Sequence, residues 1–349
     1  MKTAEYSSPK GEIKTVTLTN GRGASVTLST LGAGITSVIV PDAAGKLADV
    51  CMGYAKPSDY LYDGPNAGKT LGRYANRISE GRFVLDERPY RLPINLPPSH
   101  LHGGPEGFQN QIWTIESADD KRVVMTLHSP DGQMGYPGNV DARATYTWDD
   151  DNRLTIDYEA VTDAPTVINM ANHAYWNLDG HDSGTALLHT LQLNASRWLE
   201  TDRDLVPTGV ILGVAGTPMD FTFEKALGQD MDADYPPLKW AKGYDHCWLI
   251  DNLEGDVAEA ARLRSDKSGR VMTVFTNQPA VQVYTGNWLA DSPAGKDGAV
   301  YHDYDCVAIE CEGCPDAPNR PEFPSQRLNP GETYRRTTVY QFTAEEPLK

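Results

Sequence analysis

The feature of this sequence that most limits its fold is an alternation of apolar and polar residues at a period of two, renewed from one end to the other. Side chains of an extended strand point to opposite faces in turn, so the pattern buries one face of a sheet and exposes the other. It is clearest in "DARATYTWDDDNRLTIDYEAV", where two such runs flank Asp149 to Asn152, a cluster of turn-forming residues that reads as a hairpin. "KTVTLTN", "ASVTLSTLGAGITSVIV", "RVVMTLHSPD", "LHTLQLNASRWLE", "RVMTVFTNQPAVQVYTGNW" and "TYRRTTVYQF" carry β-branched and aromatic residues in related patterns. The 31 glycines and 24 prolines break the chain at intervals suited to short strands. Helical candidates are brief, Ser58 to Tyr62 and Phe223 to Gln229. The expectation is an all-β protein, two large antiparallel sheets packed face to face with one sheet free to hold a ligand. No linker, repeat or low-complexity tract divides the chain, so residues 1–349 are expected to form one domain.

Forty-eight acidic against 31 basic residues give a formal charge of −17, which argues against nucleic acid and anionic membranes as partners. The N-terminal "MKTAEYSSPKGEIKTVTL" lacks an apolar run of signal-peptide length, and no segment approaches the roughly 20 apolar residues of a membrane span. A cytoplasmic protein is expected, or a periplasmic one if a leader has been removed. The cysteines, Cys51, Cys247, Cys306, Cys311 and Cys314, are odd in number and read as reduced thiols. Cys311 and Cys314 have the spacing of half a zinc knuckle, but there is no second pair of that kind, and no metal is expected.

Several stretches place polar groups where a core would not need them. In "INMANHAYWNLDG", strand alternation puts Ile168, Met170, Asn172, Ala174, Trp176 and Leu178 on one face and Asn169, Ala171, His173, Tyr175 and Asn177 on the other. The second face reads as the floor of a polar pocket, which turns His173 into a cleft; the competing reading is a buried histidine satisfied by a backbone carbonyl. In "CVAIEC", Val307, Ile309 and Cys311 should face the core, leaving Glu310 on the opposite face beside the small Cys306 and Ala308. The alternative for Glu310 is an exposed residue of an edge strand. "VQVYTGN" repeats the arrangement, with Val281 and Val283 inward and Gln282 and Tyr284 outward. "SHLHGGPEGF" sets His100 and His102 two apart before a glycine pair, a spacing open to a metal site or to a strand entering a turn. "LGRYANRISEGRF" supplies Arg73, Asn76 and Arg77, either a loop held by its own hydrogen bonds or a polar recognition loop.

Taken in order, "GRYANRI", "HLHGG", "NHAYWNL", "GYDHCWL", "VQVYTGN" and "EFPSQRLNPGETY" resemble the aldose 1-epimerases, or galactose mutarotases, from about Gly53 to Tyr340. The resemblance implies a large antiparallel β-sandwich of the galactose mutarotase type, a supersandwich. It also implies interconversion of the α and β anomers of free aldoses without a cofactor. Carried over by motif, His173 would be the general acid and Glu310 the general base, with Arg73, His102, Asp245 and Gln282 holding sugar hydroxyls. Asn76 and Tyr175 complete the expected sugar-contacting set, Tyr175 through its ring; for Trp176 and Trp288, core packing is the preferred reading. The sequence departs from the family pattern after the glutamate, where Cys311 and Glu312 replace threonine and glutamine, and at Cys314, Ala171 and Ser99. These departures spare the acid and the base and bear on substrate preference. The expected partner is a monosaccharide, and the protein a monomer or homodimer. The alternatives are a carbohydrate-binding protein without activity, a glycosidase with Asp245 and Glu310 as its carboxylates, or an epimerase of hexose 6-phosphates.

Overall fold

The structure is a computed structural model that describes residues 1–61, 63–251 and 255–346. Among the described residues the alternating runs pair into three large sheets of antiparallel strands and four two-stranded ones. Nine strands form the largest, in the spatial order Thr114–Ala118, Arg122–Ser129, Val140–Trp148, Arg153–Thr162, Tyr334–Ala344, Arg270–Thr276, Ala258–Arg264, Thr190–Leu193 and Lys225–Ala226. Six form the second, in the order Tyr175–Trp176, Val307–Glu312, Ala280–Tyr284, Asp245–Leu249, Arg197–Thr201 and Pro207–Gly213. The third contains the five strands between Lys2 and Asp49. It is joined to the six-stranded sheet where Cys51 pairs with Trp176 and the Met52 N–H donates to the Tyr175 carbonyl at 2.9 Å.

The core lies between the two larger sheets. Leu154, Ile156, Tyr158, Tyr340 and Phe342 from the nine-stranded sheet share one cluster with Val281, Val283, Val307, Ile309, Trp248 and Trp176. A polar tie crosses the layers, since the Tyr340 hydroxyl donates to the Ile309 carbonyl at 3.2 Å. The hairpin expected at Asp149 to Asn152 is present, with Val140–Trp148 pairing antiparallel to Arg153–Thr162 and Asn152 in the left-handed region at φ 55°.

Local expectations hold less evenly. Phe223 to Gln229 is not a helix: Lys225–Ala226 forms a short strand against Thr190 and Leu191, because backbone pairing at the sheet edge outweighs weak helical propensity. A 3₁₀ turn spans Pro57–Leu61, and Tyr62, the end of the other helical candidate, lies outside the described residues. The "INMANHAYWNLDG" stretch is two short strands, Ala171–Asn172 and Tyr175–Trp176, and His173 sits in the break. Asn172 causes the break, its Oδ1 accepting the Ala174 N–H at 3.0 Å in a local turn that competes with strand pairing.

Trp176 is fully buried, 5.0 Å from the Tyr340 ring and 5.4 Å from Phe342. Trp176→Ala should therefore lower the unfolding free energy by about 3–5 kcal/mol, read as a drop in the urea midpoint at unchanged m.

Candidate active site

Strand register decides which side chains meet. On the six-stranded sheet Asp245 opposes Tyr284, Tyr284 opposes Ala308, and Ala308 opposes Tyr175. Two residues along, Cys247 opposes Gln282 and Gln282 opposes Glu310; two further, Leu249 opposes Ala280 and Ala280 opposes Glu312. Residues of this parity share the face turned away from the main core, to which the other parity, Trp248, Val281, Val283 and Ile309, belongs. Three carboxylates and a glutamine thus stand on one surface.

A cavity of about 550 Å³ covers it, lined by Asn76, Arg77, His102, His173, Tyr175, Asp245, Tyr284 and Glu310 together with the 64–66 and 203–205 loops. Trp240 and Trp288 also line it while remaining 41% and 48% exposed, so they stand at its opening. The "LGRY" and "LHGG" motifs pack backbone to backbone beside it: a Cβ on Gly103 would meet the Gly72 carbonyl oxygen at 1.9 Å. Asn76 and His102 are both left-handed, at φ 63° and 54°, and hold each other there. The His102 N–H donates to the Asn76 carbonyl, and the Asn76 N–H to His102 Nδ1, each at 3.0 Å.

His173 is fixed by its backbone, which donates to the Lys69 carbonyl and accepts from the Gly68 N–H, both at 2.9 Å. Its Nε2 lies 3.5 Å from Glu310 Oε1, and both side chains are buried. The Tyr175 ring is 4.9 Å from the imidazole and the His102 ring 5.3 Å. Among the described residues neither His173 Nδ1 nor Glu310 Oε2 has a hydrogen-bond partner.

Burial sets the proton affinities. It pulls His173 down to about 4 and carries Glu310 well above the carboxylate range, where Glu312 and Asp245 raise it further. Burial thus disfavours charge on both groups and biases a proton shared between them toward Glu310. His102 is held neutral by burial and by the neighbouring His173 and Arg77. Burial also pushes Asp245 up, yet it stays below the ordinary carboxylate value, because Arg77 Nη2 lies 3.1 Å from Oδ2 and Gln282 Nε2 donates to Oδ1 at 2.7 Å. Glu312 is pushed up to about 8 by burial, against the opposing bond from Asn76 Nδ2 at 2.8 Å.

The structure brings His173, Glu310, His102, Asp245, Asn76 and Tyr175 into one cavity wall. Gln282 stands behind the wall and acts on it through Asp245. Arg73 requires correction. Its guanidinium donates to the carbonyls of Ser129, Pro130, Pro137 and Gly138 and to Ser129 Oγ, away from the cavity, and holds the 129–138 loop. Arg77, four residues on, reaches the cavity instead, and the motif alone offered no way to choose between them. Trp176 is core as expected, whereas Trp288 is not. Trp240 and the 64–66 loop carry no sequence signal for the cavity, whereas Glu312, a departure from the family pattern, is in phase with Glu310 and so readable as its neighbour on one face. His100 is buried with Nδ1 2.7 Å from the Pro93 carbonyl. Cys311 belongs to the main core and Cys314 to a separate cluster with Cys247, and burial pushes the Cys311 and Cys314 thiols up to about 12. Among the described residues no three His, Cys, Asp or Glu side chains are grouped to hold a metal.

Residues 14–341 match the sequence model of a family described as aldose 1-epimerase. An aldose 1-epimerase of Escherichia coli is 38% identical over 341 residues, covering 97% of this chain and 98% of its own. A galactose mutarotase of Mus musculus is 39% identical over 319 residues, 91% of each chain. Among solved structures, an aldose epimerase homologue from C. elegans superposes with a TM-score of 0.88 at 30% identity, covering 98% of this chain and 99% of that one.

Removing one member of a buried ion pair leaves the other uncompensated. Arg77→Met should cost about 3–5 kcal/mol in urea denaturation at pH 7, and Arg77→Met with Asp245→Leu should regain much of it. Arg73→Met should destabilise the fold while leaving ligand affinity unchanged.

Proposed function

The chain belongs to the aldose 1-epimerase family, and from that membership we propose how it interconverts the α and β anomers of free aldoses: His173 serves the ring oxygen O5 and Glu310 the anomeric hydroxyl O1. The observation that carries this reading is the 3.5 Å approach of His173 Nε2 to Glu310 Oε1 in a buried wall. O1 and O5 are bonded to the same carbon, so an acid and a base acting on them must converge on neighbouring atoms.

Ring opening begins with His173 protonated and Glu310 ionised, a state reached from the resting one by moving a single proton between them. Hydroxyl donors of the bound sugar favour it by stabilising the carboxylate. Glu310 takes the proton of O1, C1 and O1 form a carbonyl, the bond from C1 to O5 breaks, and His173 delivers its proton to O5. The proton then sits on Glu310 and His173 is neutral, the distribution that burial prefers, so burial assists opening once the sugar is held. Rotation about the bond from C1 to C2 presents the other carbonyl face, and the same transfers in reverse close the ring. Asp245, Arg77, Asn76 and His102 offer donors and acceptors to the remaining hydroxyls, and Tyr175 and Tyr284 an apolar surface to a ring face.

All these groups come from one chain, so a monomer suffices, and a homodimer would carry independent sites. A single domain is supported by a core cluster that runs from Val16 to Phe342. Five unpaired, buried thiols fit a cytosolic setting. The charge of −17 favours a small neutral sugar over nucleic acid as partner.

His173→Ala and Glu310→Gln should each lower the anomer-exchange rate by about 10²–10⁴ while sugar still binds, as measured by polarimetry and calorimetry; near-normal turnover in either variant overturns its role. A second proton enters the pair only near the lowered histidine value of about 4. The wild-type kcat/KM should consequently hold within about twofold from pH 7 to 5.5, where an ordinary histidine would already impose a limb.

A further inference from the structure

The proton exchange leaves Glu312 without a task. It is fully buried on Val307–Glu312, two residues from Glu310, so both side chains leave the same face of the strand. Asn76 Nδ2 donates to its Oε1 at 2.8 Å, and its buried Oε2 has no partner among the described residues. The ionisable groups facing it are Glu310 on its own strand, Asp245 and Cys247 on Asp245–Leu249, and Tyr74 and Arg77 from the segment that carries Asn76. Cys311, Cys314 and Tyr334 close the remaining sides, and burial keeps these thiols and phenols neutral. Arg77 is thus the one cation in the group, against three carboxyls, and it is already in contact with Asp245.

The two remaining carboxyls differ in what stands beside them. Glu310 has a base, His173 Nε2, at 3.5 Å, to which it can pass its proton. Glu312 has an amide donor, which cannot accept one. An ionised Glu312 would be a buried charge without a counter-ion, the arrangement proteins avoid by keeping the group neutral. We propose that Glu312 is a positioning residue: by keeping its proton it leaves Glu310 free to ionise during turnover, and in alkaline solution its own ionisation stops the reaction by holding the proton on Glu310. This rests on the reading of Glu310 as the base.

Burial pushes Glu312 up to about 8, with Asp245 adding to the effect and Asn76 and Arg77 opposing it. Below that pH the group is a neutral acid and turnover is complete. Above it, a second negative charge two residues from Glu310 raises the proton affinity of the base, and the rate falls. The test is the pH dependence of kcat/KM for anomer exchange of α-D-glucose between pH 5.5 and 9.5, corrected for the spontaneous reaction, in the wild type and Glu312→Gln. The wild type should lose about tenfold per pH unit above about 8. Glu312→Gln, isosteric with the protonated acid, should match the wild-type plateau within about threefold and extend it to the end of the range. A limb unchanged in Glu312→Gln, or moved to lower pH, overturns the proposal and assigns the limb to the His173 and Glu310 pair. Infrared difference spectra of the wild type give a readout that does not depend on turnover. A carboxylic-acid carbonyl band should titrate away near pH 8 and be missing from Glu312→Gln. Loss of no such band overturns the proposal even if that variant fails to fold. Undiminished activity of Glu310→Gln would instead remove the underlying base assignment while leaving the Glu312 band in place.

Discussion

An excess of buried carboxyl groups over buried cations governs this cavity. Asp245, Glu310 and Glu312 rise from one sheet face, and Arg77 is the guanidinium set among them. A single cation compensates one carboxylate well, and geometry gives it to Asp245, with Gln282 donating to the other oxygen. The remaining two carboxyls must keep protons or find a base. Among the described residues the only imidazole in contact with either is His173, itself pushed toward neutrality by burial. The outcome is a site where two adjoining groups both resist carrying charge and burial biases their proton toward Glu310. Proton exchange with a ligand needs that property, and an exposed histidine and glutamate would lack it.

The scaffold makes this arrangement stiff. Three hydrogen-bonded strands set the carboxyls in rows, while their opposite faces are locked into the main core and tied across it by Tyr340. The groups that strands cannot supply come from loops with few degrees of freedom. Asn76 and His102 restrain each other through reciprocal hydrogen bonds, and the backbone of His173 is bonded to residues 68 and 69 on both sides. Behind that segment, Lys69 and Asp63 form a fully buried ion pair that holds the loop leading to Gly64, Pro65 and Asn66. Positioning of this kind keeps acid and base at neighbouring atoms of one ligand without a rearrangement on binding.

Much of this was legible before any coordinates. The alternation in Cys306 to Cys311 told which side of that strand would face away from the core, and the same period placed Gln282 and Tyr284 beside it. In Ile168 to Asn177 the core face held, but of the other face only His173 and Tyr175 reach the cavity, while Asn169 and Asn177 bond backbone carbonyls and Ala171 packs with Leu71 and Ala75. The choice between Arg73 and Arg77 was not legible. Both lie in "GRYANRI", and only the carbonyl cage of the 129–138 loop, distant in sequence, claims Arg73. Trp288 misled for a related reason, since a tryptophan's apolar surface suits a cavity rim as well as a core. The short helix assigned to Phe223–Gln229 failed because a two-residue strand at a sheet edge owes its existence to a partner that local propensity does not contain.

By itself the sequence determined the β architecture, the inward and outward faces of its strands, and the segments rich in proton-transfer and hydrogen-bonding groups. Those properties follow from a period of two and from residue identity, both local. Tertiary structure alone decided which arginine meets the carboxylates, how deeply Glu310 and Glu312 are buried, and which way burial biases the shared proton. These depend on how much water the rest of the chain removes and which charges it brings close, and the proton affinity of a side chain responds to that surrounding dielectric rather than to its neighbours in sequence.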